Sequence, residues 1–170
     1  MQPGQKFRQS LKNNRPLIIP GTINAYSAKL AERAGHKAIY LSGSGVAAAS
    51  YGLADLCITS MKDVLVDVKR ITDASSLPLL VDIDTGWGES EQISETIIEM
   101  EKAGCAAVHI EDQVFDKRCG HRPNKRLVSI DEMRDRLKTS ISSKADDSFF
   151  VMARTDSIAS EGIDLSLIHI

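Results

Sequence analysis

The sequence predicts an α/β fold built on a parallel sheet, with its reactive residues gathered at the carboxyl ends of the strands. Three observations carry this reading. Short apolar runs alternate regularly with longer amphipathic stretches, the pattern of repeated βα units. The runs, such as Leu79-Leu80-Val81 and Ala106-Ala107-Val108, are continuous rather than alternating in polarity, as strands covered on both faces are. Polar residues then collect just after them, at Tyr40, Ser42, Asp82, Asp84, Glu111 and Arg154. A barrel with its site at the carboxyl ends predicts that clustering, whereas a doubly wound sheet would concentrate it at one switch point. Ser42-Gly43-Ser44-Gly45 also lacks the glycine spacing of a dinucleotide fingerprint.

Each element has its own signal. Gly4 to Asn14 reads as a short amphipathic helix, and Leu17-Ile18-Ile19-Pro20 as a strand ending at Gly21. Ala25 to Ala34 is a helix stopped by Gly35, which can take the left-handed conformation that ends helices. Lys37 to Leu41 is the second strand. Met61 to Ala74 carries Val64, Val68 and Ile71 at helical spacing, with Ser60 or Thr59 as its cap. The third strand ends at Asp82, and Ser90 to Ala103 is a helix closed by Gly104. The fourth strand ends at Glu111. Ser129 caps Ile130 to Ser142, with Glu132 as its capping-box partner. Phe149 to Ala153 is a fifth strand, leading into Arg154.

Composition excludes several classes. A net charge of −2 with 42% hydrophobic residues in 170 residues fits a globular chain able to bury a core. The balance gives no support for nucleic acid as a partner, since the basic residues form one local loop rather than a stripe. No apolar run approaches a membrane span, and the polar N-terminus is not a signal peptide. The three cysteines, Cys57, Cys105 and Cys119, are an odd number without a C-x-x-C pair. That favours reduced thiols in the cytoplasm over a disulfide framework or structural zinc. Cys57 and Cys105 read as packing residues, and His109, inside a strand, as a satisfied core histidine.

Two motifs carry chemistry. In Val81-Asp82-Ile83-Asp84-Thr85-Gly86-Trp87-Gly88, two carboxylates stand at the end of a buried strand beside glycines that free the backbone. That arrangement suits a hard cation such as Mg2+, with Mn2+ as a substitute. One βα unit later, Lys117-Arg118-Cys119-Gly120-His121-Arg122-Pro123-Asn124-Lys125 places a thiol among four cations and a histidine. Such a field draws in anionic substrates and favours thiolate. Glu111 and Asp112 precede this loop and link it to the upstream acidic pair.

These segments resemble the isocitrate lyase and phosphoenolpyruvate mutase superfamily, and within it the bacterial methylisocitrate branch. The matching stretches are P-G-T-I-N-A, I-Y-L-S-G-S-G-V-A, L-L-V-D-I-D-T-G-W-G, H-I-E-D-Q, K-R-C-G-H-R-P-N-K and M-A-R-T-D, in family order up to about Gly162. The cysteine loop separates the chain from the mutase branch. Arg118 and the compact loops lean away from isocitrate lyases proper, which usually carry K-K-C-G-H. The resemblance implies a (β/α)8 barrel and Mg2+-dependent cleavage of 2-methylisocitrate to pyruvate and succinate. It implies metal ligation by Asp82 and Asp84, directly or through water, with Glu111 supporting. Substrate binding falls to Ser42, Gly43, Ser44, Asp55, Lys117, Cys119, Gly120 and Arg154. Cys119 becomes the acid that protonates carbon, beside Arg118 and His121, with Tyr40 a candidate base. Ser44 stands where the family more often has glycine. The implied partners are a small di- or tricarboxylate substrate and further copies of the chain in a homotetramer.

A barrel of eight strands takes about 250 residues, and only five strands are legible. The expectation is therefore that residues 1–164 are the N-terminal portion of one barrel domain. Leu165 to Ile170 departs from the family pattern and back-translates as CTG TCT CTT ATA CAC ATC, which resembles a transposase mosaic-end adapter, so this tail is expected to be read-through. Isocitrate cleavage, other 2-oxo acid chemistry and a non-catalytic half-barrel stay open as alternatives.

Overall fold

Eight helices and four strands follow one another in the computed structural model, which describes residues 1–117, 119–120 and 122–169, the last few of these partly by backbone alone. In chain order they are α1 (Pro3–Asn13), α2 (Ala25–Arg33), β1 (Ile39–Leu41), α3 (Gly43–Tyr51), α4 (Met61–Ala74), β2 (Leu79–Asp82), α5 (Ser90–Lys102), β3 (Ala107–Glu111), α6 (Ile130–Ser143), β4 (Phe150–Arg154), α7 (Ile158–Glu161) and α8 (Ile163–His169). Asn24, Ser60 and Ser129 cap α2, α4 and α6 by accepting a backbone N–H with the side chain, which satisfies one of the donors a helix start leaves open. Glu132 does not complete the box at Ser129, because its carboxylate takes Arg136 instead, at 2.9 Å. Among the described residues, no helix is long and apolar enough to cross a membrane.

All strand pairs are parallel and the order is β1-β2-β3-β4. Each strand lies beside its sequence neighbour with a helix in between, so the order never reverses. That is barrel winding, without the switch point of a doubly wound sheet. Alternate residues face opposite sides. Ile39, Leu41, Leu79, Val81, Val108 and Ile110 meet the helices in the larger core. The other face is apolar at the amino end, where Leu80, Ala107, Phe150 and Met152 pack with Phe7 of α1. Phe7 and Phe150 ring centroids are 5.5 Å apart, and a Cβ on Gly4 would collide with the Ser148 backbone. Helix α1 therefore plugs the bottom of the sheet's inner face. The upper part of that face carries the polar residues.

Two elements differ from the sequence reading. The expected strand at Leu17–Pro20 is reduced to one parallel bridge, Gly21 with Tyr40. The carbonyl of Pro20 accepts from Tyr40 N at 3.0 Å, but proline has no N–H with which to continue a ladder. The Ser42-Gly43-Ser44-Gly45 stretch is the start of a helix, α3, with Ser42 as cap and Gly52, at φ 66°, as its left-handed stop.

Candidate active site

The period of two along the strands assembles the site. On the inner face the residue sequence is Tyr40 from β1, Asp82 from β2, His109 and Glu111 from β3, and Arg154 from β4. The register sets Asp82 opposite His109 and Glu111 opposite Arg154. Asp84 follows two residues after Asp82, at φ 51°, a left-handed conformation that aspartate tolerates better than most side chains. Its amide donates to Asp82 Oδ1 at 3.0 Å, so the two carboxylates are fixed as a unit.

Ligand-capable oxygens of Asp82, Asp84 and Glu111 all lie within 4.8 Å of one another, and all three residues are buried. Burial, reinforced by Asp82, pushes the Asp84 carboxyl up to about 6. Burial likewise pushes Glu111 up to about 8. Like charges this close disfavour joint ionisation unless a cation offsets them. Lys117 Nζ lies 2.6 Å from Asp84 and 3.2 Å from Asp55. Arg154 Nη1 lies 3.0 Å from Glu111 and 3.9 Å from Asp82, with Nη2 3.3 Å from Asp156. Burial opposes the charge on Lys117 and on Arg154, yet the surrounding carboxylates outweigh it and hold both above their usual range. Five carboxylates thus surround two cations. Among the described residues, the buried oxygens Asp84 Oδ1 and Glu111 Oε2 meet only these two cations, Lys117 and Arg154. Surplus carboxylates over cations and an oxygen-only donor set fit a hard divalent cation.

Around this group stand the remaining expected residues. Gly43 is so close to the Asp84 carboxylate that a Cβ would sit 3.4 Å from it. The first turn of α3, with Ser42 and Ser44 joined at 2.9 Å, therefore opens beside the acidic group, and free N–H groups at a helix start favour anions. Tyr40 Oη lies 3.3 Å from Asp82 and 2.8 Å from His109 Nε2. Burial and Asp82 raise its phenol above the usual range, so in this state it is a donor. A Cβ on Gly120 would collide with the Arg154 guanidinium and crowd Asp156, which places the half-buried Cys119 in the loop lying over Arg154. Arg118 and His121 fall outside the described residues.

Sequence reasoning missed three members. His109 faces the acidic group rather than resting as a fully satisfied core histidine: its Nδ1 is 3.6 Å from Asp82 Oδ1 and has no hydrogen-bond partner among the described residues, its ring stacks on Tyr40 at 5.5 Å, and burial lowers its pKa. Its placement two residues before Glu111 was the available signal. Gln113 Nε2 donates to Glu111 at 3.1 Å and to Asp156 at 2.6 Å. Asp156 in turn orients Arg154. Both stood within motifs quoted for other residues.

Comparison with known proteins bears on the family and the fold of the chain. The chain is 59% identical over 164 residues to 2-methylisocitrate lyase of Shewanella oneidensis, an alignment covering 96% of this chain and 56% of that protein. A crystal structure of 2,3-dimethylmalate lyase, a PEP mutase/isocitrate lyase superfamily member, superposes with a TM-score of 0.92 at 34% identity, covering 99% of this chain and 57% of that one. Phosphonopyruvate hydrolase, solved in complex with oxalate and Mg2+, gives 0.84 at 31% identity, covering 97% and 56%. The chain thus spans about half the length of the relatives it matches. A family model described as phosphoenolpyruvate phosphomutase matches residues 7–166, and the chain belongs to that family.

Proposed function

We propose that these residues form the metal and acid half of an Mg2+-dependent carbon–carbon lyase site that cleaves 2-methylisocitrate to pyruvate and succinate. The observation that supports it most is the convergence of a three-carboxylate group, Arg154 and the Cys119–Gly120 loop at the carboxyl ends of adjacent strands. Asp82, Asp84 and Glu111 would hold Mg2+, or Mn2+ in its place. Bound there, the cation supplies Lewis-acid polarisation of the 2-hydroxyl and its neighbouring carboxylate.

The chain's own residues do the rest. Arg154 binds one substrate carboxylate, and Ser42, Gly43 and Ser44 at the start of α3 receive another. Asp55 and Lys117 line the same side. Tyr40, with His109 behind it, directs a hydrogen bond at the reacting hydroxyl. The hydroxyl proton passes to Tyr40 Oη as that phenol hands its own proton to His109 Nε2, 2.8 Å away, and the oxygen left behind becomes the carbonyl of pyruvate. The electron pair of the broken carbon–carbon bond goes to the other fragment, the aci-carboxylate of succinate. Cys119 delivers its Sγ proton to that carbon as general acid. Arg118 and His121 in the same loop stabilise the dianion as it forms. The intact protein is a homotetramer in this reading, and a soluble one.

A lyase assay on the protein encoded by the intact gene tests it, with 2-methylisocitrate and isocitrate in parallel and the 2-oxo acid identified. Pyruvate from 2-methylisocitrate supports the assignment. Glyoxylate from isocitrate as the main product moves it to the isocitrate branch. No 2-oxo acid from either substrate overturns it.

A further inference from the structure

Arg136 is a buried cation that the lyase chemistry leaves without a role. It lies on the sheet side of α6 and is 8% exposed. Its Nη1 donates to the carbonyl oxygens of Glu111 at 3.2 Å and Gln113 at 2.8 Å. Its Nη2 meets Glu132 Oε1 at 2.9 Å, but that side chain is 55% exposed, so solvent screens the pair and it contributes little. Burying a guanidinium is costly. The two carbonyls therefore account for its place. They stand where the chain leaves the sheet, Glu111 being the last residue of β3, and one nitrogen, Nη1, serves both of them while Nη2 turns to Glu132.

The consequence lies on the other side of the strand. Glu111 N donates to Asp84 O at 2.9 Å, which joins the backbones that carry two of the three carboxylates. Gln113, the second residue Arg136 holds, donates its side-chain amide to Glu111 Oε1. One guanidinium thus fixes both the residue that presents the carboxylate and the residue that orients it.

We infer that Arg136 is a positioning residue for the metal centre, setting Glu111 from behind β3 through the backbone. The inference rests on the reading of Asp82, Asp84 and Glu111 as that centre. Outer residues of this kind commonly change metal affinity by about 10- to 100-fold.

The experiment uses the intact protein with Mn2+ alone as probe, followed by the spin signal of free Mn2+, and amide exchange at residues 111–114 without metal. Asp82→Ala serves as the control that loses binding. Arg136→Met is expected to bind Mn2+ about tenfold more weakly, with faster exchange at 111–114 and unchanged exchange in β1 and β2. Arg136→Lys recovers part of both, because the ammonium keeps the charge and its donors but sits on a shorter stem and lacks the planar geometry that holds Nη1 between the two carbonyls. A folded Arg136→Met protein with wild-type Mn2+ affinity and exchange overturns the inference. Where that variant fails to fold, Arg136→Lys with wild-type affinity and exchange does so. If the wild-type protein binds no Mn2+, the metal reading fails, and exchange at 111–114 alone decides whether Arg136 holds this backbone.

Discussion

Lys117 Nζ lies 2.6 Å from Asp84 Oδ1 and also 3.2 Å from Asp55 Oδ1, so one buried ammonium ties the loop after β3 to the loop after β2 and to the segment before α4. The same segments are joined twice more. Trp87 Nε1 donates to Thr59 O at 3.0 Å, and Cys57 Sγ donates to Phe115 O at 3.5 Å. The three loops that form the rim of the site are therefore one cross-linked unit, and Lys117 is its charged member.

Replacing Lys117 with methionine keeps the stem volume and removes the charge. Breaking a buried pair from one side commonly costs about 3 kcal/mol or more, because the other charge stays buried. The intact Lys117→Met protein should melt at lower temperature in chelator, and saturating Mg2+ should restore part of the loss by binding the folded state. Equal melting temperatures in chelator would show that the ion pair contributes nothing.

Metal dependence separates the two aspartates. Asp82 sits on the strand and also faces His109, Tyr40 and Arg154. Asp84 reaches the site from a left-handed turn. In the intact protein, Asp82→Ala is expected to abolish turnover, while Asp84→Ala raises the Mg2+ concentration needed for half-maximal rate. Wild-type rates in both, with unchanged sensitivity to chelator, would remove the carboxylates from the mechanism.

Thiol chemistry is predicted to be selective. Cys105 is buried and its thiol is raised by burial; Cys57 is pushed up to about 11, by burial first and then by Asp84. At pH 8 such a Cys57 is on the order of 0.1% thiolate, which makes it slow. Alkylation of the intact enzyme should therefore inactivate it through Cys119, with substrate protecting. Cys119→Ser should fold and bind metal but lose turnover, since a serine hydroxyl is a far weaker acid. Mass mapping that finds inactivation with modified Cys57 and untouched Cys119 would assign the acid elsewhere.

At the opposite end of the sheet, Glu32 joins α2 to the turn before β2. It accepts from Ser76 Oγ at 2.5 Å, Ser75 Oγ at 3.1 Å and Ser76 N at 3.3 Å, and the Ser76 bond holds its carboxyl below the usual value. A depressed acid stabilises the fold above its unfolded-state pKa and loses that contribution as pH falls through its folded value. Unfolding of the intact protein measured from pH 7 to pH 3 should show a shallower acid limb in Glu32→Gln. Activity at pH 7 should be unchanged, because Glu32 lies at the amino end of the strands, away from the carboxylates and Arg154 at their carboxyl ends. Parallel acid limbs in the two proteins would discount the carboxylate.

Most of this arrangement was legible because it is periodic. Strands β2, β3 and β4 and helices α4, α5 and α6 followed from apolar spacing and caps, within a residue or two of their ends. What was not legible had physical reasons. Helix α3 opens on Gly43 and Gly45, poor helix formers, and its signal lay in Ser42 before it and Gly52 after it. The Leu17–Pro20 run had strand composition, but its proline cannot extend the pairing. His109 was read by the polarity of its neighbours in sequence, whereas the face it shares with Glu111 decides its surroundings. Gln113, Asp156 and Arg136 act through contacts between elements far apart in sequence, which no local pattern records.

The outer strand carries the last expectation. All five residues of β3 are buried, while all five of β4 are only half-buried. Among the described residues β4 pairs on one side, with β3, and the other end of the sheet is marked by the bridge at Gly21. Ile18 beside that bridge is 68% exposed. Open parallel edges next to apolar side chains are templates for another chain. Prepared as the 170-residue chain alone, the protein is therefore expected to self-associate and to show no lyase turnover, even with its metal and thiol residues in place. Light scattering across a dilution series and the lyase assay check this together. A stable monomer with measurable turnover would mean that the exposed edges are not sticky and that the residues described here suffice for catalysis.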